Sequence, residues 1–83
     1  MGSSMYLYKE EYHPQRMNEC RLLVTWPGYG WWHMLGSVVS YDAKCAEVWP
    51  AYGLHRDVSR LFAGREEAIK WLKELWSRRR GRR

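Results

Sequence analysis

Residues 21–26 form the first clear strand pattern in the chain: Leu22, Val24 and Trp26 fall on one side of an extended backbone and Leu23 and Thr25 on the other. Pro27-Gly28 then predicts a type II turn. Proline presets the second turn position, and glycine accepts the positive φ that the third requires. Tyr29 and Gly30 extend this loop. A long second strand is expected over residues 31–41, with Gly36 marking a bulge or bend. Asp42-Ala43-Lys44 reads as a short hairpin loop and residues 45–49 as the return strand. Pro50 ends it, because proline has no N–H for a ladder. Tyr52-Gly53 turns again. Ahead of all this, Tyr6-Leu7-Tyr8 suits a short edge strand, and the polar stretch 9–19, with Pro14, reads as a loop.

Residues 56–62 fit two periods. Leu54, Val58, Leu61 and Phe62 suit a helix, while Val58, Arg60 and Phe62 share one face of a strand. Ala63-Gly64 resembles a strand-to-helix junction and favours the strand. The pattern from Arg65 to about Arg79 has one reading. Ala68, Ile69, Trp71, Leu72, Leu75 and Trp76 fall on one arc at helical spacing, with Glu66, Lys70, Lys73, Glu74 and Ser77 opposite. Gly64 is placed as the N-cap, with Glu67 three residues into the helix. Glu66 and Glu67 suit its positive end, and Arg78 to Arg80 its negative end. Glu66–Lys70 and Glu74–Arg78 are spaced to pair one turn apart.

These elements predict an α+β domain: a three- to four-stranded antiparallel sheet packed on one C-terminal amphipathic helix. Met1-Gly2-Ser3-Ser4 reads as a cloning remnant with Met5 as the natural start, residues 5–77 as one domain, and residues 78–83 as an arginine-rich tail. A domain of 83 residues buries only about 60% of its unfolded surface, which leaves little room for a deep catalytic cleft.

The net charge of +5 is unevenly distributed. Arg78, Arg79, Arg80, Arg82 and Arg83 supply five of the 14 basic residues, so the body carries nine basic against nine acidic. Arginine pairs phosphate oxygens two at a time, so the tail, with Arg56 and Arg60, is the candidate nucleic-acid contact.

Other chemistry is thinly represented. Cys20 and Cys45 make no disulfide framework, and no long apolar run suggests a membrane span, so free thiols in a reducing cytosol are expected. His13, His33 and His55 show no metal-binding spacing with the cysteines. Nothing resembles a nucleophile motif, a dinucleotide loop or a phosphate-binding loop. The expectation is a non-enzymatic protein without cofactor or metal.

The aromatics are more telling. Six Trp, six Tyr and one Phe are more than one small layer needs. Trp31 and Trp32 are neighbours on the expected second strand, so they face opposite sides of the sheet, and one helix covers only one side. Trp26, Trp31, Trp32 and Trp49 are therefore the candidate aromatic interface.

The run Phe62-Ala63-Gly64-Arg65-Glu66-Glu67-Ala68-Ile69-Lys70-Trp71-Leu72 resembles the last strand and helix of small β-β-β-α DNA-binding domains, such as the N-terminal arm-binding domain of phage and transposon integrases. The resemblance spans roughly residues 31–76. It implies a three-stranded sheet laid in a DNA major groove with the helix behind it. That family's sheet is studded with basic residues, whereas residues 31–49 here hold one lysine, Lys44, and two acids, Asp42 and Glu47. Two functions are therefore expected. One is a nucleic-acid-binding accessory protein using the arginine tail and aromatic sheet. The other is a protein-binding module, of the kind phages and mobile elements encode, that inhibits a host protein complex. A homodimer is compatible with either.

Overall fold

The computed structural model describes residues 5–51 and 59–81, with side chains described as far as Arg78 in the helix. Five antiparallel strands form a simple meander: β1 (Leu7–Tyr12), β2 (Glu19–Thr25), β3 (His33–Asp42), β4 (Cys45–Pro50) and β5 (Arg60–Phe62). One helix, α1 (Arg65–Gly81), follows. The α+β class and the helix agree with the sequence pattern. The sheet has five strands rather than three or four, because β1 and β5 are complete ladder members. β1 takes in Lys9 to Tyr12, expected in a loop. This edge strand is exposed at five of its six positions, so it lacks the apolar alternation by which buried strands are read.

Turn chemistry sets the strand ends. The Tyr29 N–H donates to the Trp26 carbonyl at 3.1 Å, and Gly28 has φ +90°, which is the expected type II turn. Gly30 repeats the positive φ at +84°. The chain needs Trp31 and Trp32 to complete this loop, so β3 begins at His33 and neither tryptophan is a strand residue. At the far end the Lys44 N–H donates to Asp42 Oδ1 at 2.7 Å, tightening the hairpin into β4.

Register divides the sheet into two faces. Val24, Leu22 and Cys20 lie opposite His33, Gly36 and Val38, and onward to Pro50 and Val48. This face is covered by α1, which packs across β3, β4 and β5. Leu22, Val24, Leu35, Val38, Val48, Ala68 and Leu72 are completely buried there. The register slips between Leu22 and Leu23, leaving Leu35 as the extra residue of a bulge beside Gly36. Glycine at 36 also permits close approach. A Cβ there would sit 2.8 Å from the Trp49 carbonyl oxygen and 3.2 Å from Leu72 Cδ2. The Ala68 N–H donates to the Gly64 carbonyl, so the helix starts where its N-cap predicts.

Candidate functional site

The second face of the sheet carries the residues of opposite parity: Leu7, Lys9 and Glu11 on β1, Arg21, Leu23 and Thr25 on β2, Ser37, Val39 and Tyr41 on β3, Glu47 and Trp49 on β4, and Leu61 on β5. No element among the described residues packs across it. Trp49 remains 48% exposed, Tyr41 57% and Leu61 68%. Leu61 stands opposite Glu47, diagonal to Trp49, so the two share one surface. Trp32 reaches the face from the preceding loop, its ring 4.4 Å from Lys9 Nζ and 42% exposed. Beneath that corner Leu23 is shielded between its neighbours Lys9 and Met34.

The charges on this face nearly balance. Arg21 pairs with Glu11, and Arg16 with Glu19 at 3.2 Å. The Tyr41 hydroxyl donates to Glu47 Oε1 at 2.6 Å, which holds the Glu47 carboxyl below its ordinary range, with a smaller contribution from Ser59. The same bond pushes the Tyr41 hydroxyl up, so it stays a donor. Lys9 sits over an aromatic ring. The result is an apolar and aromatic surface with little net charge.

The candidate residues occupy different places. Trp32 and Trp49 contribute to this surface. Trp31 lies in the loop beside it, 74% exposed, and its carbonyl accepts from the Thr25 hydroxyl. Trp26 lies on the helix side, stacked between Tyr29 at 4.1 Å and Trp76 at 5.6 Å, with Tyr6 edge-on to both tryptophans. Its shared parity with Leu22 and Val24 was the signal for that position. Arg60 is on the helix side of β5, its guanidinium 5.1 Å from the Trp71 ring and 5.8 Å from Phe62. Arg78 is an exposed helical residue, and Arg79 and Arg80 are also within α1, so the basic run begins as helix rather than as a separate tail. Arginine is a good helix former, and positive charge suits a helix C-terminus. Arg56, Arg82 and Arg83, the Tyr52-Gly53 turn, residues 1–4 and the side chains of Arg79 and Arg80 lie outside the described residues. Tyr41, Leu61 and Leu7 were not singled out from sequence, although Tyr41 follows Ser37 and Val39 at strand spacing.

Cys20 and Cys45 are both free. They are not on neighbouring strands: β3 runs between them. Burial pushes the Cys20 thiol up. Among the described residues no group of three or more His, Cys, Asp or Glu side chains is placed to hold a metal ion. No described helix is long and apolar enough to cross a membrane. No family model, curated protein or solved structure matches the chain.

Proposed function

We propose that this chain is a non-enzymatic binding module whose recognition surface is the face of the sheet opposite α1, and that its partner is a protein presenting an apolar patch. The observation that carries this reading is the set Trp32, Tyr41, Trp49 and Leu61, left in solvent on a face of little net charge. Exposed apolar side chains gathered on one face mark interaction sites, and tryptophan and tyrosine are their usual anchors. A nearly balanced charge set gives no advantage to a polyanion. It leaves apolar shape complementarity as the basis of selection, which suits a module that occupies a surface on a host complex.

The test compares nuclease-treated, cross-linked captures by the wild type and by a Trp49→Ala/Leu61→Ser double variant. Both substitutions are at exposed positions, so the thermal midpoint should be unchanged. A specific protein partner should be lost by the variant, with an affinity drop of about thirtyfold or more for an anchor tryptophan. Equal capture by the variant, or loss of all bound material on nuclease treatment, refutes the reading.

A nucleic-acid-binding role is the second reading. It is favoured by the helical Arg78, which starts the basic run on a rigid element. Affinity should then fall steeply with salt, as counterions are released from phosphates.

A further inference from the structure

α1 lies beside β1 at a trough, and the charges along it are unlike those of the exposed sheet face. An open cavity of about 360 Å³ is lined by Tyr8, Lys70, Lys73, Glu74, Ser77 and Arg78. A second, of about 310 Å³, continues it towards the helix start, sharing Lys70 and Lys73 and adding Glu10, Arg65, Glu66 and Ile69. We propose that this trough is a binding site for successive phosphate groups of a single nucleic-acid strand, contacted by Lys70, Lys73 and Arg78 with the hydroxyls of Ser77 and Tyr8. This inference develops the nucleic-acid reading and is independent of the sheet-face one.

The first support is unused charge. Glu66–Lys70 and Glu74–Arg78 have the spacing for ion pairs, yet neither forms. The ion pairs among the described residues are Arg16–Glu19, Arg21–Glu11 and Arg65–Glu10. Lys73 makes a ring contact, its Nζ 4.8 Å from the Tyr8 centroid, which keeps the ammonium over the trough without neutralising it. Three cations therefore face one carboxylate, Glu74, in the first cavity. At the other end Arg65 is tied to Glu10 and Glu66 adds a carboxylate, so the excess of cations lies from Lys70 onward.

The second support is donor chemistry. Partial burial raises the Tyr8 hydroxyl, so it remains protonated, and the Ser77 hydroxyl lies against it. Phosphate oxygens take hydrogen bonds from such groups as well as from lysine and arginine. The third is length. Lys70 to Arg78 spans about 12 Å of helix axis at roughly 1.5 Å per residue. That is several times the roughly 3.4 Å rise per nucleotide along one strand. A row of cations this long matches a run of phosphates better than a single ion. In sequence, Arg79, Arg80, Arg82 and Arg83 follow.

The experiment measures fluorescence anisotropy of a labelled oligothymidylate with the full chain at several salt concentrations, with inorganic tripolyphosphate and polyglutamate as competitors. Lys70→Gln/Lys73→Gln should weaken binding roughly tenfold or more and flatten the salt slope by about 1.4, since each single-strand phosphate contact contributes about 0.7. Tyr8→Phe should cost a further few-fold. Tripolyphosphate should compete, which identifies phosphate as the recognised group, while stronger competition from oligothymidylate identifies the nucleic-acid backbone as the source. An unchanged affinity and slope in the double lysine variant overturns the site. If deletion of residues 79–83 alone then abolishes binding, the nucleic-acid reading survives without the trough. Absence of oligothymidylate binding by the wild type overturns both, and better competition by polyglutamate than by tripolyphosphate overturns the phosphate assignment.

Discussion

Both faces of this sheet carry large apolar residues, and these have opposite fates, although charged and polar residues are interleaved mainly on the second. On one, Leu22, Val24, Val38 and Val48 are sealed under α1; on the other, Tyr41, Trp49 and Leu61 remain in solvent. Strand periodicity separates the two sets, and the interleaved Lys9, Glu11, Arg21, Ser37 and Glu47 mark the second as the uncovered side. The helix has a single apolar arc and can serve only the first. The contrast explains how a small domain holds a core and an apolar surface together: the surface residues are those left without a covering layer, not those with weaker hydrophobicity.

The largest test of this contrast is a matched pair. Leu72→Ala should cost about 2–5 kcal/mol, a large part of the total stability of a domain this size. Leu61→Ala, on the uncovered face, should stay within about 0.5 kcal/mol of wild type in a urea melt. Similar losses from both would show that the two faces are not distinct. Gly36→Ala is the next largest. Its added methyl meets backbone at 2.8 Å, and overpacking of this kind costs about 1–3 kcal/mol. A neutral thermal melt for this variant would contradict the close approach of β3, β4 and α1.

The smallest effect concerns pH on the uncovered face. The Glu47 carboxyl is held low by the Tyr41 hydroxyl, then by Ser59. A depressed carboxylate stabilises the fold above its unfolded pKa, and that contribution is lost as pH falls through its folded pKa. Tyr41→Phe should move the Glu47 titration, followed by carboxyl carbon NMR, upward towards the ordinary glutamate range. No movement would mean that the hydrogen bond is absent in solution.

Much of the fold was legible in the sequence where local signals agree. α1 has an apolar arc, a cap and complementary end charges, and it starts where they place it. The Pro27-Gly28 turn was equally readable, since only certain residues meet its φ values. β1 was only partly legible, because an exposed edge strand needs no apolar alternation and Lys9-Glu10-Glu11 resembles a loop. Trp31 and Trp32 were placed on a strand because their bulk suits one, but the loop opened by Gly28 and Gly30 uses both residues. The site divides in the same way. That one face would stay uncovered followed from counting helices, and Trp32 and Trp49 are on it. Trp26 is inside, as its parity with Val24 implies. Leu61 could not be placed while residues 56–62 fitted both helix and strand.

Strand order also has a consequence for how the chain matures. Every strand pairs with its neighbour in sequence, so the meander can assemble one hairpin at a time, by short loop closures, as the chain is synthesised. The 17 residues of α1 follow all of it. A sheet formed before they dock would leave Leu22 and Val48 as wet as Trp49 and Leu61, with two sticky sides. Docking of the helix removes one of them, and only then does the remaining side acquire an identity of its own.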